Sequence, residues 1–243
     1  MAADKTCPAV FITGTDTGVG KTLVAAALAR YFSAKGLQVG VMKPIETGVE
    51  DPSGLGADAS LLRWAARVQD ADELISPYRF RPPLAPSQAA TAVGAQIDID
   101  RIIKSSQSMR HTKDILLIEG AGGLMVPIRG GYLMADLARQ LATPLLTVTH
   151  PRLGTLNHTL LTTFAARAME LELCGFIVNR MPEEPGDAER EAPHLLASLA
   201  SADLLGVLPE VMGSDQDKVE ILAGQIDKMP AYKWFVGGLG LEL

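Results

Sequence analysis

The sequence predicts an α/β protein built on a doubly wound, mainly parallel sheet flanked by helices, and three observations lead there. Short runs rich in Val, Ile and Leu recur along the chain, with stretches of helical periodicity between them. Several of these runs are continuously apolar instead of alternating, as strands covered on both faces must be. The composition, 47% hydrophobic and 21% charged over 243 residues, is that of a folded chain able to bury a full core.

The first strand, Ala9–Thr13, runs into Gly14-Thr-Asp-Thr-Gly-Val-Gly-Lys-Thr22, and a helix follows over Lys21–Lys35 until Gly36 closes it. Strand, glycine-rich turn and helix is the setting in which successive backbone N–H groups converge on an anion at the positive end of a helix. Gly18 and Gly20 let the main chain approach a phosphate closely. Lys21 then places a compact positive charge on the terminal phosphates, and the Thr22 hydroxyl ligates the Mg2+ that bridges them. The generic phosphate loop (P-loop) has glycine five positions before Gly20; here Thr15 holds that place and Gly14 stands one residue earlier.

The second strand, Gln38–Met42, ends in Lys43-Pro-Ile-Glu-Thr-Gly48, where Pro44 stops the strand and Lys43 emerges at the same rim as Lys21. Taken alone, Lys43 also fits a lysine snorkelling off a strand end; two lysines at one rim call for dense negative charge between them. A helix over Ala59–Arg67 follows, and Asp58, in Gly-Ala-Asp-Ala-Ser, reads either as its N-cap or as a metal ligand. The Pro-rich stretch Pro77–Pro86 reads as a surface loop, and Ile99–Met109 as the next helix.

The third strand, Asp114–Ile118, ends in Glu119-Gly-Ala-Gly-Gly123, a carboxylate followed by a loop with almost no side chains. This suits a metal-held acid beside a closely approaching ligand, and equally a strand-end acid next to a flexible turn. With Thr22 and Glu119, Asp58 would complete a set of hard oxygen ligands for Mg2+.

A helix over Leu133–Leu141 precedes the fourth strand, Leu145–Thr149. The segment His150-Pro-Arg-Leu-Gly-Thr-Leu-Asn-His158 then opens a long helix, Leu156–Leu171. Its start either offers main-chain N–H groups to a carboxylate or is an ordinary Thr155 cap. Strand Phe176–Asn179, a loop at Pro182–Pro185, helix Ala188–Ser201 and strand Leu204–Leu208 complete the pattern. No repeat or biased linker divides the chain, so residues 1–243 are read as one domain.

Lys plus Arg number 22 against 28 Asp plus Glu, a net charge of -6 with no long basic run, which argues against a nucleic-acid partner. Cys7 and Cys174 stand apart from each other and from any Cys/His cluster, so neither a disulfide framework nor a zinc or iron–sulfur site is expected. No leader-like start and no apolar run of roughly 18 residues is present, so the expectation is a cytoplasmic protein with no membrane partner.

In order, GTDTGVGKT, KPIETG, GADA, LIEGAGG and LGTLNHT closely resemble the dethiobiotin synthetases, from about residue 9 to about residue 210. The resemblance implies a P-loop nucleoside triphosphate hydrolase-like fold, a homodimer with its active sites at the subunit interface, and the substrates MgATP, CO2 or bicarbonate and 7,8-diaminononanoate. By motif, Lys21 and Lys43 are catalytic, and Thr22, Asp58 and Glu119 hold Mg2+. ATP is implied to contact Thr17, Gly18, Val19, Gly20, Lys21 and Thr22 in the loop, with Asp58 and the Glu119, Gly120, Ala121, Gly122 segment. Its adenine is implied to lie at Asn179 and the Gly206–Val211 region, with Arg180, Pro209, Glu210 and Val211 among the ATP contacts. The diamine is implied to meet Thr15, Lys43 and Thr47, and its carboxylate the helix start Leu153, Gly154, Thr155 and Asn157 of the neighbouring subunit. A tyrosine implied near Ala192 is missing, and the tail Lys233–Leu243 carries no recognisable motif.

The rival reading is a regulatory or partitioning P-loop ATPase, in which hydrolysis switches partner binding. Such proteins show a second lysine early in the loop, where this chain has Thr15, Asp16 and Thr17.

Overall fold

Val10 and Ile12 belong to one buried core, and Ala9 and Phe11 to another. Burial on both faces at a period of two makes this strand the centre of a sheet with helices on either side. The computed structural model describes residues 7–241; the first six residues, and the last two of the tail expected to lack a motif, lie outside the described residues.

The chain opens with β1 (Ala9–Gly14), α1 (Lys21–Ala34), β2 (Val39–Met42), β3 (Ile45–Thr47), α2 (Ala57–Ala66), α3 (Asp72–Ile75) and β4 (Tyr78–Phe80). It continues through α4 (Pro86–Ala92), α5 (Ile99–Arg110), β5 (Ile115–Gly123), β6 (Pro127–Arg129), β7 (Tyr132–Leu133) and α6 (Met134–Gln140). Then come β8 (Leu145–Thr149), α7 (Thr155–Ala168), β9 (Leu173–Met181), α8 (Asp187–Leu199), β10 (Leu204–Pro209), α9 (Asp215–Ala223) and α10 (Tyr232–Gly238).

Six strands form the main sheet in the order β10-β9-β8-β1-β5-β2, every pair parallel. The chain therefore passes from β1 to one side (β2, β5) and later to the other (β8, β9, β10). This reversal opens a crevice at the carboxyl end of β1. On one face α1 lies between α2 and α9. Its buried Ala25, Ala26, Ala27 and Ala29 leave room for that close approach, as small residues at a helix contact do. On the other face, residues of α4, α5 and α6 pack around Phe11, Leu116 and Ile118. A smaller cluster at Phe176, Val178 and Leu196 joins β9 to α8.

All six expected strands are present, and the expected helices match within a few residues at their ends. Two expectations are corrected. The Pro77–Pro86 stretch is not all loop: Tyr78–Phe80 pairs with Ile45–Thr47 in a small parallel sheet of its own, and Pro86 opens α4. Proline is tolerated at a helix start because its missing N–H has no intrahelical partner there. Gly120–Gly123 continues β5 as strand beyond Glu119. The tail gains α10, which buries Phe235 and joins Tyr232 to Tyr31 by a 2.7 Å hydroxyl–hydroxyl hydrogen bond. No helix among the described residues is long and apolar enough to cross a membrane.

Phe11 is fully buried in the central strand. Phe11→Ala is expected to lower stability by about 3–5 kcal/mol, read in urea as a lower midpoint at unchanged slope.

Candidate active site

The turn between β1 and α1 is held in shape by two left-handed glycines, Gly18 (φ 77°) and Gly20 (φ 93°). Asn179, at the end of β9, reaches across to it and donates from Nδ2 to the Val19 carbonyl at 3.0 Å. A side chain on Gly20 would overlap that amide, so glycine is required there twice over: for backbone conformation and for space. Lys21 donates from Nζ to the Asp16 carbonyl at 3.0 Å and is 7% exposed. Burial pulls its pKa below the ordinary lysine value, against the attraction of Glu119.

At the ends of β2 and β5 lies a buried ion cluster. Lys43 Nζ is 2.7 Å from Glu119 Oε1 and 2.8 Å from Asp58 Oδ2, and Thr22 Oγ1 donates to Glu119 Oε1 at 2.8 Å. Lys43 and Glu119 are 4% and 1% exposed. Burial by itself would depress Lys43, but the two carboxylates outweigh it and keep the ammonium charged above the usual lysine range. Burial likewise pushes Glu119 above the usual carboxylate range, while Lys43 draws the more open Asp58 below it. Glu119 Oε2 is buried without a hydrogen-bond partner among the described residues.

These groups face a cavity of about 400 Å³ lined also by Thr17, Gly18, Gly20, Thr47, Ala121, Gly122 and Arg180. A second cleft, of about 180 Å³, is lined by Asn179, Arg180, Pro209, Glu210 and Val211. Arg180 and Lys218 belong to both walls. The structure thus brings the residues expected around phosphate, metal and adenine into one continuous region. Val19 and Gly120 contribute backbone oxygens: Val19 to Asn179, and Gly120 to Lys43 Nζ at 3.4 Å.

No three of His, Cys, Asp and Glu gather into a stand-alone metal centre among the described residues. Thr22, Asp58 and Glu119 form an all-oxygen set with one unpartnered carboxylate oxygen. That chemistry fits Mg2+, which is commonly bound through one or two carboxylates together with substrate phosphates and retained water.

Other expectations are not brought together. Leu153, Gly154, Thr155 and Asn157 line a separate cavity of about 500 Å³ against Ala192 and Leu195 of α8. The alternative of an ordinary Thr155 cap is corrected: Gly154 is the N-cap, and the Thr155 hydroxyl is buried on Thr149 Oγ1 at 2.8 Å. Thr15 likewise gives its hydroxyl to Thr149 at 3.1 Å and does not line the phosphate cavity. Asp58 is not the cap of α2, since Gly56 holds that place and Asp58 sits in the first turn. Its side chain turns instead to Lys43.

Three charged wall residues escape sequence reasoning. Glu46 on β3 is buried and takes the backbone N–H groups of Asp58 and Ala59; burial raises its pKa. Asp215 and Lys218 on α9 close the cavity from the far side. The signal for α9 is in the sequence, because Ser214 and Asp217 form a reciprocal capping pair at its start.

The AAA domain family matches residues 8–218 of the chain. The ATP-dependent dethiobiotin synthetase BioD of Thermodesulfovibrio yellowstonii is 41% identical over 219 residues, 86% of this chain and 91% of that protein. BioD of Bacillus subtilis strain 168, also an ATP-dependent dethiobiotin synthetase, is 34% identical over 86% of this chain and 90% of its own length. Among solved structures, MinD of Pyrococcus horikoshii complexed with Mg-ADP superposes with a TM-score of 0.57 at 18% identity, covering 96% of this chain and 94% of its own. A ParA family ATPase of Chlorobium tepidum gives 0.57 at 16%, over 98% and 99% of the two chains. At such identity these structures show a shared fold alone.

Gly20→Ala is expected to force the loop away from Asn179, with at least about 1–2 kcal/mol of backbone strain from the left-handed conformation. ADP affinity measured by calorimetry should fall with it.

Proposed function

The chain belongs to the ATP-dependent dethiobiotin synthetase family, and from that premise we propose how its residues close the ureido ring of dethiobiotin from 7,8-diaminononanoate, CO2 and ATP. The observation that carries the reading is Lys43, a second buried cation beside the P-loop, held charged by Glu119 and Asp58.

In this reading one substrate amine adds to CO2, forming an N–C bond and losing a proton to give a carbamate. A carbamate oxygen attacks the γ-phosphorus, the bond to the ADP oxygen breaks, and a carbamic-phosphoric anhydride forms. The second amine attacks the carbonyl carbon, phosphate leaves, and the ring closes with loss of the amine proton. Every stage is anionic, so the protein's work is positioning and fixed positive charge. Lys21 and the loop N–H groups face the phosphates, while Lys43 and Thr47 face the acceptor. Mg2+, held by Thr22, Asp58 and Glu119, would neutralise phosphate charge when bound. The cleft at Pro209–Val211 suits the adenine, and the Asn179 Oδ1, buried without a partner among the described residues, suits its amino group.

We further propose that two copies form the working enzyme in the cytoplasm. Leu153, Leu161 and Phe164 of the α7 region are 93%, 57% and 71% exposed, and the exposed Leu195 and Leu199 of α8 line clefts with Leu153 and Phe164 respectively. Pairing there supports the reading that the Leu153–Asn157 helix start serves the neighbouring subunit's site.

With ATP, Mg2+, bicarbonate and the diamine, mass spectrometry should detect the cyclised urea, and phosphate release should depend on the diamine. Diamine-independent release would refute the synthetase mechanism. Lys43→Ala should lower kcat by about 10² or more, the scale of one lost transition-state donor, with a smaller change in nucleotide affinity. Phe164→Asp should convert dimers to monomers in light scattering and depress turnover with them.

A further inference from the structure

Helix α2 starts without a cap of its own. Its N-cap, Gly56, has extended backbone (φ −73°, ψ −178°) and no side chain to offer. The free N–H groups of the first turn go instead to Glu46, twelve residues earlier in the sequence. Glu46 Oε1 accepts from Asp58 N–H at 2.9 Å, and Oε2 accepts from Ala59 N–H at 3.2 Å. Glu46 is 5% exposed, and a Cβ on Gly56 would overlap its carboxylate. Gly56 is therefore glycine to admit an acid from another element, since its φ is one any residue adopts.

The cap is an electrostatically awkward choice unless it serves the site. A neutral Ser or Asn at position 56 would cap the same helix without placing a second carboxylate beside Asp58. Glu46 does what such a cap could not do: from β3, immediately after the Lys43 segment, it ties the first turn of α2 to the strand end that carries Lys43. Asp58 is held at both ends of one residue, its N–H by Glu46 and its Oδ2 by Lys43.

We propose that Glu46 is a positioning residue that fixes Asp58 in the phosphate cavity by holding the first turn of α2, with Gly56 as the space it occupies. The proposal rests on the reading of Asp58 as a ligand of nucleotide-associated Mg2+. Glu46 acts through the Asp58 and Ala59 amides and does not touch the reacting atoms.

The test compares Glu46→Gln, Gly56→Ala and Asp58→Asn with the double variant Glu46→Gln/Asp58→Asn in the full chain. Mn2+ binding to the enzyme–ADP complex is read by electron paramagnetic resonance, ADP binding in EDTA by calorimetry, and folding by thermal melting. Loss of an orienting partner behind a metal ligand typically weakens metal binding about 10–100-fold. Both Glu46→Gln and Gly56→Ala are expected to fall in that range while ADP affinity in EDTA is unchanged. The double variant should bind Mn2+ no more weakly than Asp58→Asn alone, because Glu46 has nothing left to position. If the Glu46 and Gly56 variants lower only the melting temperature, or if the double variant shows additive losses, Glu46 is a structural cap and the proposal falls. If Asp58→Asn itself keeps full Mn2+ affinity, the assignment of Asp58 falls and the positioning role falls with it. A normal Asp58→Asn loss with unaffected Glu46 variants overturns the positioning role alone.

Discussion

The contact on which the site depends is the one that Lys43 makes with Glu119 and Asp58. A lone ammonium buried to this degree would give up its proton, and a lone buried carboxylate would take one. The carboxylates hold Lys43 charged against its burial, and Lys43 in turn opposes the burial that raises Glu119. The cluster joins β2, β5 and α2 in one stroke, and through Thr22 it reaches the first turn of α1. Removing Lys43 leaves the buried Glu119 without its counter-charge, which is far more damaging than the pair is stabilising. The geometry is therefore maintained by mutual need and not by a large net gain in folding energy.

The sheet explains why these charges meet. In a parallel sheet every strand delivers its carboxyl end to the same edge, and the following helices begin there with their positive ends. β1 supplies the loop, β2 supplies Lys43, β5 supplies Glu119, and β9 supplies Asn179, all along one rim. Ile12 lies in register with Glu119 on the neighbouring strand, so the acid stands beside the strand that launches the phosphate loop. Residues about 100 apart in sequence become neighbours because β5 is inserted between β1 and β2.

What was legible in the sequence follows from how local its cause is. The strands were readable from continuous apolar runs, and the loop from glycines and a lysine within nine residues. Asp58 was ambiguous because an acid near a helix start satisfies both the capping pattern and the ligand pattern, and only the 2.8 Å approach of Lys43 decides where its side chain goes. Glu46 was invisible for the opposite reason: its partners are amides of a helix that no local rule connects to β3. Prolines hid β4, since they mark loops in general but here flank a short edge pairing whose ladder they do not enter. Thr155 is ambiguous because hydroxyl residues at helix starts usually cap, whereas this one is drawn inward by Thr149 and Thr159.

The likeness of fold to MinD and ParA proteins sharpens the question of what makes this site a synthetase site. The fold alone accounts for a phosphate loop at the end of β1; it does not demand a second buried lysine on the next strand. Here Thr15, Asp16 and Thr17 occupy the early part of the loop, and the second cation comes from Lys43, fixed by carboxylates of the same chain. A reaction that joins an anionic carbamate to a phosphoryl group needs a permanent charge on the acceptor's side, already oriented when the substrate enters. In the proposed function a lysine held between Glu119 and Asp58 meets that requirement, since both of its carboxylate partners come from the same chain.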